Sequence, residues 1–155
     1  MDKKKTILFA ASSGGHLEQI LCLRGLNQYY NTILVTEKTG YDINTWQDTV
    51  YWVPQVNRRE FLAILKLLTI CFKSIYIFFK EKPDIVITTG ALSVVPTCLI
   101  AKVFRKKFIY IESFAKVETL TLTGKLMYNF AGLFIVQWEE LHKLYTRTVF
   151  GGSIY

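Results

Sequence analysis

The run Thr6–Leu21, TILFAASSGGHLEQIL, passes from strand to helix through five residues, Ser12-Ser13-Gly14-Gly15-His16. Ile7 to Ala11 form an apolar segment of strand type, and Leu17, Ile20, Leu21 and Leu23 then repeat at helical spacing. A strand, a small-residue loop and a helix N-terminus in that order are how α/β domains place a phosphate-handling loop. Glycines allow close backbone approach, and the unpaired N–H groups of the first helical turn favour an anion. His16 stands at the loop exit, where it is either a helix-capping residue or a base that works near neutral pH. The loop lacks the spacing of a dinucleotide GxGxxG and the Lys-Ser/Thr of a P-loop.

Further along, apolar strands alternate with helical segments. A first helix is expected over His16–Tyr29, ending near Asn31, then a buried strand Thr32–Thr36 and a polar loop Glu37–Asp48. Val50–Val53, Ile85–Thr89, Phe108–Ile111 and Leu133–Gln137 read as further strands. Helices are expected from about Pro96 to Phe104, from Gly124 to Phe130, and from Trp138-Glu139-Glu140 to Tyr145. This alternation implies one Rossmann-like, doubly wound parallel sheet in a single α/β domain covering residues 1–155. Function in such a sheet sits at the carboxyl ends of the strands. Ser12 to His16, Thr88-Thr89-Gly90 to Ser93, Glu112-Ser113 and Gln137 to Glu139 all fall there. Each has a plainer reading: a tight turn, a hydroxyl cap, a carboxylate bonded to a loop N–H, or, for Trp138, core packing.

The segment Glu60–Lys80, EFLAILKLLTICFKSIYIFFK, contains no Gly or Pro and reads as one long helix. Arg59, Lys66, Lys73 and Lys80 recur every seven residues, about 20° short of two turns, so they form one narrow basic stripe on an otherwise apolar helix. The apolar surface exceeds what a sheet-covering helix requires. A transmembrane span, a helix buried against other protein, and a helix lying in the membrane interface all compete here. Central lysines cost about 2.5–3.5 kcal/mol each in a span. Lysines reaching anionic headgroups from an interfacial helix fit the stripe best.

Totals bound the rest. The 155 residues carry 19 Lys+Arg against 12 Asp+Glu, a net charge of +7, which suits an anionic partner. Basic residues border apolar segments instead of polar, Gly-rich ones, which favours a membrane surface over nucleic acid. Cys22, Cys71 and Cys98 are widely spaced within apolar runs, so buried, reduced thiols of a cytosolic protein are expected. No metal-ligand spacing and no Ser-His-Asp order stands out, and no metal or cofactor is called for. MDKKK before a short apolar run mimics a secretion signal, but the run is shorter than the roughly 7–15 residues such signals use.

FAASSGGHLEQIL, TTGALSVVP, YIESFAKVETLTLTGKLMY and FIVQWEEL with VFGGSIY together resemble bacterial capsule and exopolysaccharide proteins of the CpsF/PssD type. Those in turn resemble the acceptor-side subunit of the split eukaryotic UDP-GlcNAc transferase (Alg14) and the N-terminal half of MurG-like GT-B glycosyltransferases. The resemblance implies a non-catalytic or co-catalytic hexosyltransferase subunit at the cytoplasmic face of the membrane. Such a subunit presents a polyprenyl-diphosphate-linked acceptor and recruits a separate catalytic partner that holds most of the UDP-sugar. On that basis Ser12, Ser13, Gly14 and Gly15 would face the acceptor diphosphate and His16 would be a base. Thr88, Thr89 and Gly90 would line the cleft, and Glu112 and Ser113 its floor. The eukaryotic subunit has an N-terminal anchor, so membrane contact is expected here from Arg59, Lys66, Lys73 and Lys80. Trp138, Gly151, Gly152, Ile154 and Tyr155 are expected to dock the partner. The alternative class is a self-sufficient, Rossmann-like nucleotide-binding enzyme without a partner.

Overall fold

A computed structural model describes residues 4–40, 43, 46, 48–57 and 59–155. Of the expected polar loop Glu37–Asp48, residues 41, 42, 44, 45 and 47 lie outside that set, as do residues 1–3 and 58. Seven parallel strands form one sheet in the order β3-β2-β1-β4-β5-β6-β7. They are β1 (Thr6–Ala11), β2 (Asn31–Glu37), β3 (Thr49–Val53), β4 (Ile85–Gly90), β5 (Lys107–Ile111), β6 (Leu133–Val136) and β7 (Val149–Phe150). The order reverses between β1 and β4, so the carboxyl ends of those two strands flank a crevice where such sheets bind ligands.

Side chains alternate across the sheet as the strand repeat requires. Leu8, Ala10, Ile33, Val35, Val86, Phe108, Tyr110, Phe134 and Val136 fill one core. It is covered by α2 (Ala63–Glu81), α3 (Val95–Val103), α4 (Leu122–Met127) and α5 (Glu139–Leu144). Ile7, Phe9, Ala11, Leu34, Ile87 and Ile111 face the other way, beneath α1 (Gly15–Cys22), Trp46 and the chain end at Ile154. Near-continuous apolar strands follow from burial on both faces.

Several boundaries differ from expectation. The first helix stops at Cys22, and Arg24–Gln28 forms a separate 3-10 turn. Asn31 opens β2 instead of closing a helix, and Glu37 is its buried last residue, not the start of a loop. A seventh strand, Val149–Phe150, completes the sheet edge. Cys98 is buried, but Cys71 is half-buried and Cys22 exposed. Helix α2 begins at Ala63, so Arg59 precedes it in a turn and is not part of its face.

The lysine row of α2 has internal partners. Lys66 pairs with Glu60, Lys73 Nζ donates to the Trp52 carbonyl at 3.0 Å, and Lys80 Nζ lies 5.4 Å from the Tyr51 ring. At about 100° per residue, the row sits roughly a quarter-turn from the buried stripe of Ile70, Ser74, Ile77 and Phe78. The outermost face is apolar: Phe61 ahead of the helix, then Leu65, Leu68, Phe72, Tyr76 and Phe79 are all exposed. No helix among the described residues is long and apolar enough to cross a membrane.

Candidate functional site

The crevice is built by the last residue of β2 and by the segments that follow β1, β3 and β4. A cavity of about 390 Å³ is lined by Ser12, Ser13, His16, Glu37, Gln55, Val56, Asn57, Ala91 and Leu92. The turn after β1 enters α1 through Gly14 at φ 79°, and a Cβ at Gly14 or Gly15 would meet nothing within 4 Å. A side chain would thus fit in the space beside either glycine, and the first-turn N–H groups of α1 are of the kind that lack intrahelical partners and favour an anion.

The turn after β4 is shaped differently. Gly90 has φ 108°, and a Cβ there would lie 2.6 Å from the Tyr110 hydroxyl and 3.5 Å from His16 Cε1. Only glycine fits, because both the conformation and the space exclude a side chain. Thr88 Oγ1 accepts from the Gly90 N–H at 3.1 Å, and Thr89 Oγ1 donates to the His16 carbonyl at 2.8 Å. Thr88 and Thr89 are fully buried, so they brace the two turns against each other instead of lining the cavity.

His16 joins these parts. Burial holds its imidazole below the usual range, against the opposing pull of the Thr89 backbone and the Glu37 charge. The ring is therefore neutral at pH 7, the form that accepts a proton. Its Nδ1 is buried without a hydrogen-bond partner.

Glu37 is the residue that sequence reasoning missed. It is only 5% exposed and accepts from the Ser13 N–H at 3.4 Å, the Ser13 hydroxyl at 3.2 Å and the Val56 N–H at 3.3 Å. One carboxylate thus ties the β1 loop to the segment after β3. The Glu-Lys-Thr-Gly sequence reads as a surface loop, and no local pattern marks the two distant partners.

Glu112 lies elsewhere. Its carboxylate is fully buried and accepts from the Ser113 N–H at 2.8 Å, the Thr121 N–H at 3.1 Å and the Thr121 hydroxyl at 3.3 Å. Burial raises its pKa against these bonds and the nearby Lys116 charge. Glu112 and Ser113 fasten the loop between β5 and α4 and do not line the described cavity.

The chain end is held in the same manner. Gln137 is buried, and its Nε2 donates to Gln19 Oε1 at 2.9 Å and to the Glu112 carbonyl at 2.8 Å. Its Oε1 accepts from the Ile154 N–H at 2.9 Å. Gly151 N–H donates to the Val136 carbonyl at 3.0 Å, and Gly152 turns the chain at φ 73°. Trp138 Nε1 donates to the Phe114 carbonyl at 2.7 Å, and the Phe114 ring centroid lies 5.0 Å from Trp138 and 5.4 Å from Tyr155. Of the expected docking residues, Ile154 packs inward whereas Tyr155 is exposed. Among the described residues no cluster of three or more His, Cys, Asp or Glu is arranged to hold a metal ion.

Sheet order and a crevice between the first and fourth strands define a Rossmann-like fold, the fold seen in one half of GT-B proteins such as MurG. Acinetobacter baumannii MurG superposes with a TM-score of 0.74 at 18% identity, over 88% of this chain and 42% of that one, so the chain spans less than half of that protein. Within this class, residues 49–154 match the family described as "Oligosaccharide biosynthesis protein Alg14 like". The human UDP-N-acetylglucosamine transferase subunit ALG14 is 30% identical over 178 residues, covering 96% of this chain and 82% of that protein. The Schizosaccharomyces pombe subunit alg14 is 38% identical over 77 residues, 46% of this chain and 37% of that protein. The chain belongs to the Alg14 family.

Proposed function

We propose that this protein is the acceptor-side subunit of a UDP-sugar-dependent glycosyltransferase. It holds a polyprenyl-diphosphate-linked sugar at the cytoplasmic face of a membrane and engages a separate catalytic subunit that carries most of the UDP-sugar. The observation that carries this reading is the crevice at the sheet's carboxyl edge in a chain of the Alg14 family. In the proposed arrangement the diphosphate meets the N–H groups of the first turn of α1 at Gly14 and Gly15, while the buried Gly90 turn packs against His16 from behind. His16, neutral at pH 7, takes the proton of the attacking acceptor hydroxyl. The donor's leaving diphosphate stays with the partner.

Membrane contact is assigned to the outer face of α2, where Phe61, Leu65, Leu68, Phe72, Tyr76 and Phe79 form an exposed apolar row. Lys66, Lys73 and Lys80 flank that row and Arg59 precedes it, so their charges sit at headgroup level when the row is immersed. A cleft at the helix's far end, lined by Lys4, Lys5, Lys80, Lys82 and Lys106 with Glu81 and Asp84, extends the same border with a net positive balance. The partner is assigned to the opposite corner, around Trp138, Gly151, Gly152, Ile154 and Tyr155. Gln137 holds this tail through the Ile154 N–H, with Ile154 packed inward and the Tyr155 ring as the outward contact.

The end product is proposed to be a capsular or exopolysaccharide, on the resemblance of the TLTLTGKLMY and FIVQWEEL segments to CpsF/PssD-type proteins. Sugar transfer from UDP-sugar to a polyprenyl-diphosphate acceptor should appear when chain and catalytic partner are mixed and be absent from either alone. Transfer of equal rate by the isolated chain would return the alternative, a self-sufficient enzyme.

A further inference from the structure

The 390 Å³ cavity beside the glycine loop has a chemistry that a phosphate site would not share. Its described lining carries no Lys or Arg, while the buried Glu37 carboxylate stands in it. The Ser13 N–H and hydroxyl, the donors nearest this carboxylate on the β1 loop, already donate to Glu37. A second anion placed there would meet a like charge in a partly desolvated space, which is costly. An uncharged ligand that both gives and accepts hydrogen bonds meets no such penalty.

The open valences point the same way. A carboxylate has about four acceptor positions, and Glu37 uses three of them. Glu37 and His16 both line the cavity, so one acceptor position of the carboxylate is left over beside the imidazole. Gln55 and Asn57, on the segment that Glu37 holds through Val56, add amide donors and acceptors at the rim. The volume falls at the small end of the roughly 300–1,000 Å³ range of ligand sites, room for a ligand the size of one sugar ring.

We infer that this cavity is the subsite for a single pyranose of the acceptor, with Glu37 anchoring a ring hydroxyl and Gln55 and Asn57 setting which sugar is taken. The inference rests on the glycosyltransferase reading and gives that site a division of labour. Diphosphate lies on the Gly14–Gly15 rim, and the sugar it carries lies beside it against Glu37 and His16. Glu37 is a binding residue, and through Ser13 and Val56 it also positions the two loops that close on the ring.

Two measurements test it. Saturation-transfer NMR of the isolated chain, with N-acetylglucosamine, glucose and galactose as separate probes at millimolar concentration, should give a signal with at least one. That signal should weaken about three- to tenfold in Gln55→Ala, the loss of one neutral hydrogen bond, and more in Glu37→Gln. Inorganic pyrophosphate should not displace the sugar. No signal from any of the three sugars, or displacement by pyrophosphate, overturns the subsite. Gln55 is exposed, so its variant folds. In the complex with the catalytic partner, Gln55→Ala should raise the acceptor KM by the same factor and leave the UDP-sugar KM unchanged. Unchanged acceptor KM in an active complex overturns the subsite alone. Sugar binding that depends on Gln55 in a complex without transferase activity keeps the subsite and overturns the proposed function.

Discussion

Replacing Gly124 with alanine tests the assignment of Glu112 as a structural clamp. A Cβ at Gly124 would stand 2.0 Å from Glu112 Oε2, 3.1 Å from Glu112 Cδ and 3.0 Å from Thr121 Oγ1. Ordinary contact lies near 3.5 Å, so the carboxylate must retreat by about 1.5 Å. Retreat breaks the bonds from the Thr121 N–H and hydroxyl to Oε2, and full burial denies the carboxylate replacement water. Overpacking costs about 1–3 kcal/mol and a lost hydrogen bond to a charged group about 1.5–3 kcal/mol. The two overlap, so roughly 3 kcal/mol is the working figure. For a chain of this size that lowers Tm by about 6–12 °C. Thermal unfolding followed by circular dichroism at pH 7 reads it directly, with Gly25→Ala as control, since a Cβ there meets nothing within 4 Å. A Tm within about 2 °C of the parent would refute the clamp. The pH profile gives a second reading. The folded chain holds Glu112's proton more tightly than the unfolded chain, so stability falls as pH rises from the ordinary carboxylate range through the raised pKa. Glu112→Gln should remove that part of the slope.

Other perturbations probe the remaining parts. His16→Ala should leave folding and partner binding intact while cutting transfer by the complex about 10²- to 10⁴-fold, and a parental rate would confine His16 to bracing the β4 turn. Because burial lowers the His16 pKa below 6.5, the unfolded chain binds that proton more tightly. Stability should therefore drop as pH falls from 6.5 through the lowered value, and His16→Gln should flatten the drop in pH-dependent denaturation. Phe72→Glu with Leu68→Glu should abolish sedimentation with anionic vesicles at unchanged Tm, since both side chains already face solvent; Lys66→Glu with Lys73→Glu should weaken it, and full binding by either pair would remove α2 from the membrane. Deleting residues 151–155 should abolish co-purification with the catalytic partner, and an intact complex would move the docking surface elsewhere.

The parallel sheet was legible because buried strands are written as short apolar runs, such as Leu8–Ala10 and Ile85–Ile87, closed by small residues at their carboxyl ends. The excess apolar surface of the long helix was legible too, but its lysines were not. Periodicity placed them on one stripe, whereas their contacts with Glu60, Trp52 and Tyr51 arise from chain that only the fold brings near. Strand β7 escaped notice because its two residues are both exposed, so no burial pattern marks them. Glu112 drew attention as a carboxylate closing an apolar strand, a sound signal of a polar partner, and the partner is Thr121 nine residues on. Glu37 is the converse case. In a polar context it looked ordinary, and its burial follows only from the pairing of β2 between β1 and β3.

The most direct measurement is sugar transfer by purified chain, purified catalytic partner and their mixture, using UDP-sugar and a polyprenyl-diphosphate-linked acceptor in anionic vesicles. Transfer should require both proteins, and a partner assembled with His16→Ala chain should bind equally well yet transfer slowly. Full-rate transfer by the partner alone, or by this chain alone, would contradict an acceptor-side subunit.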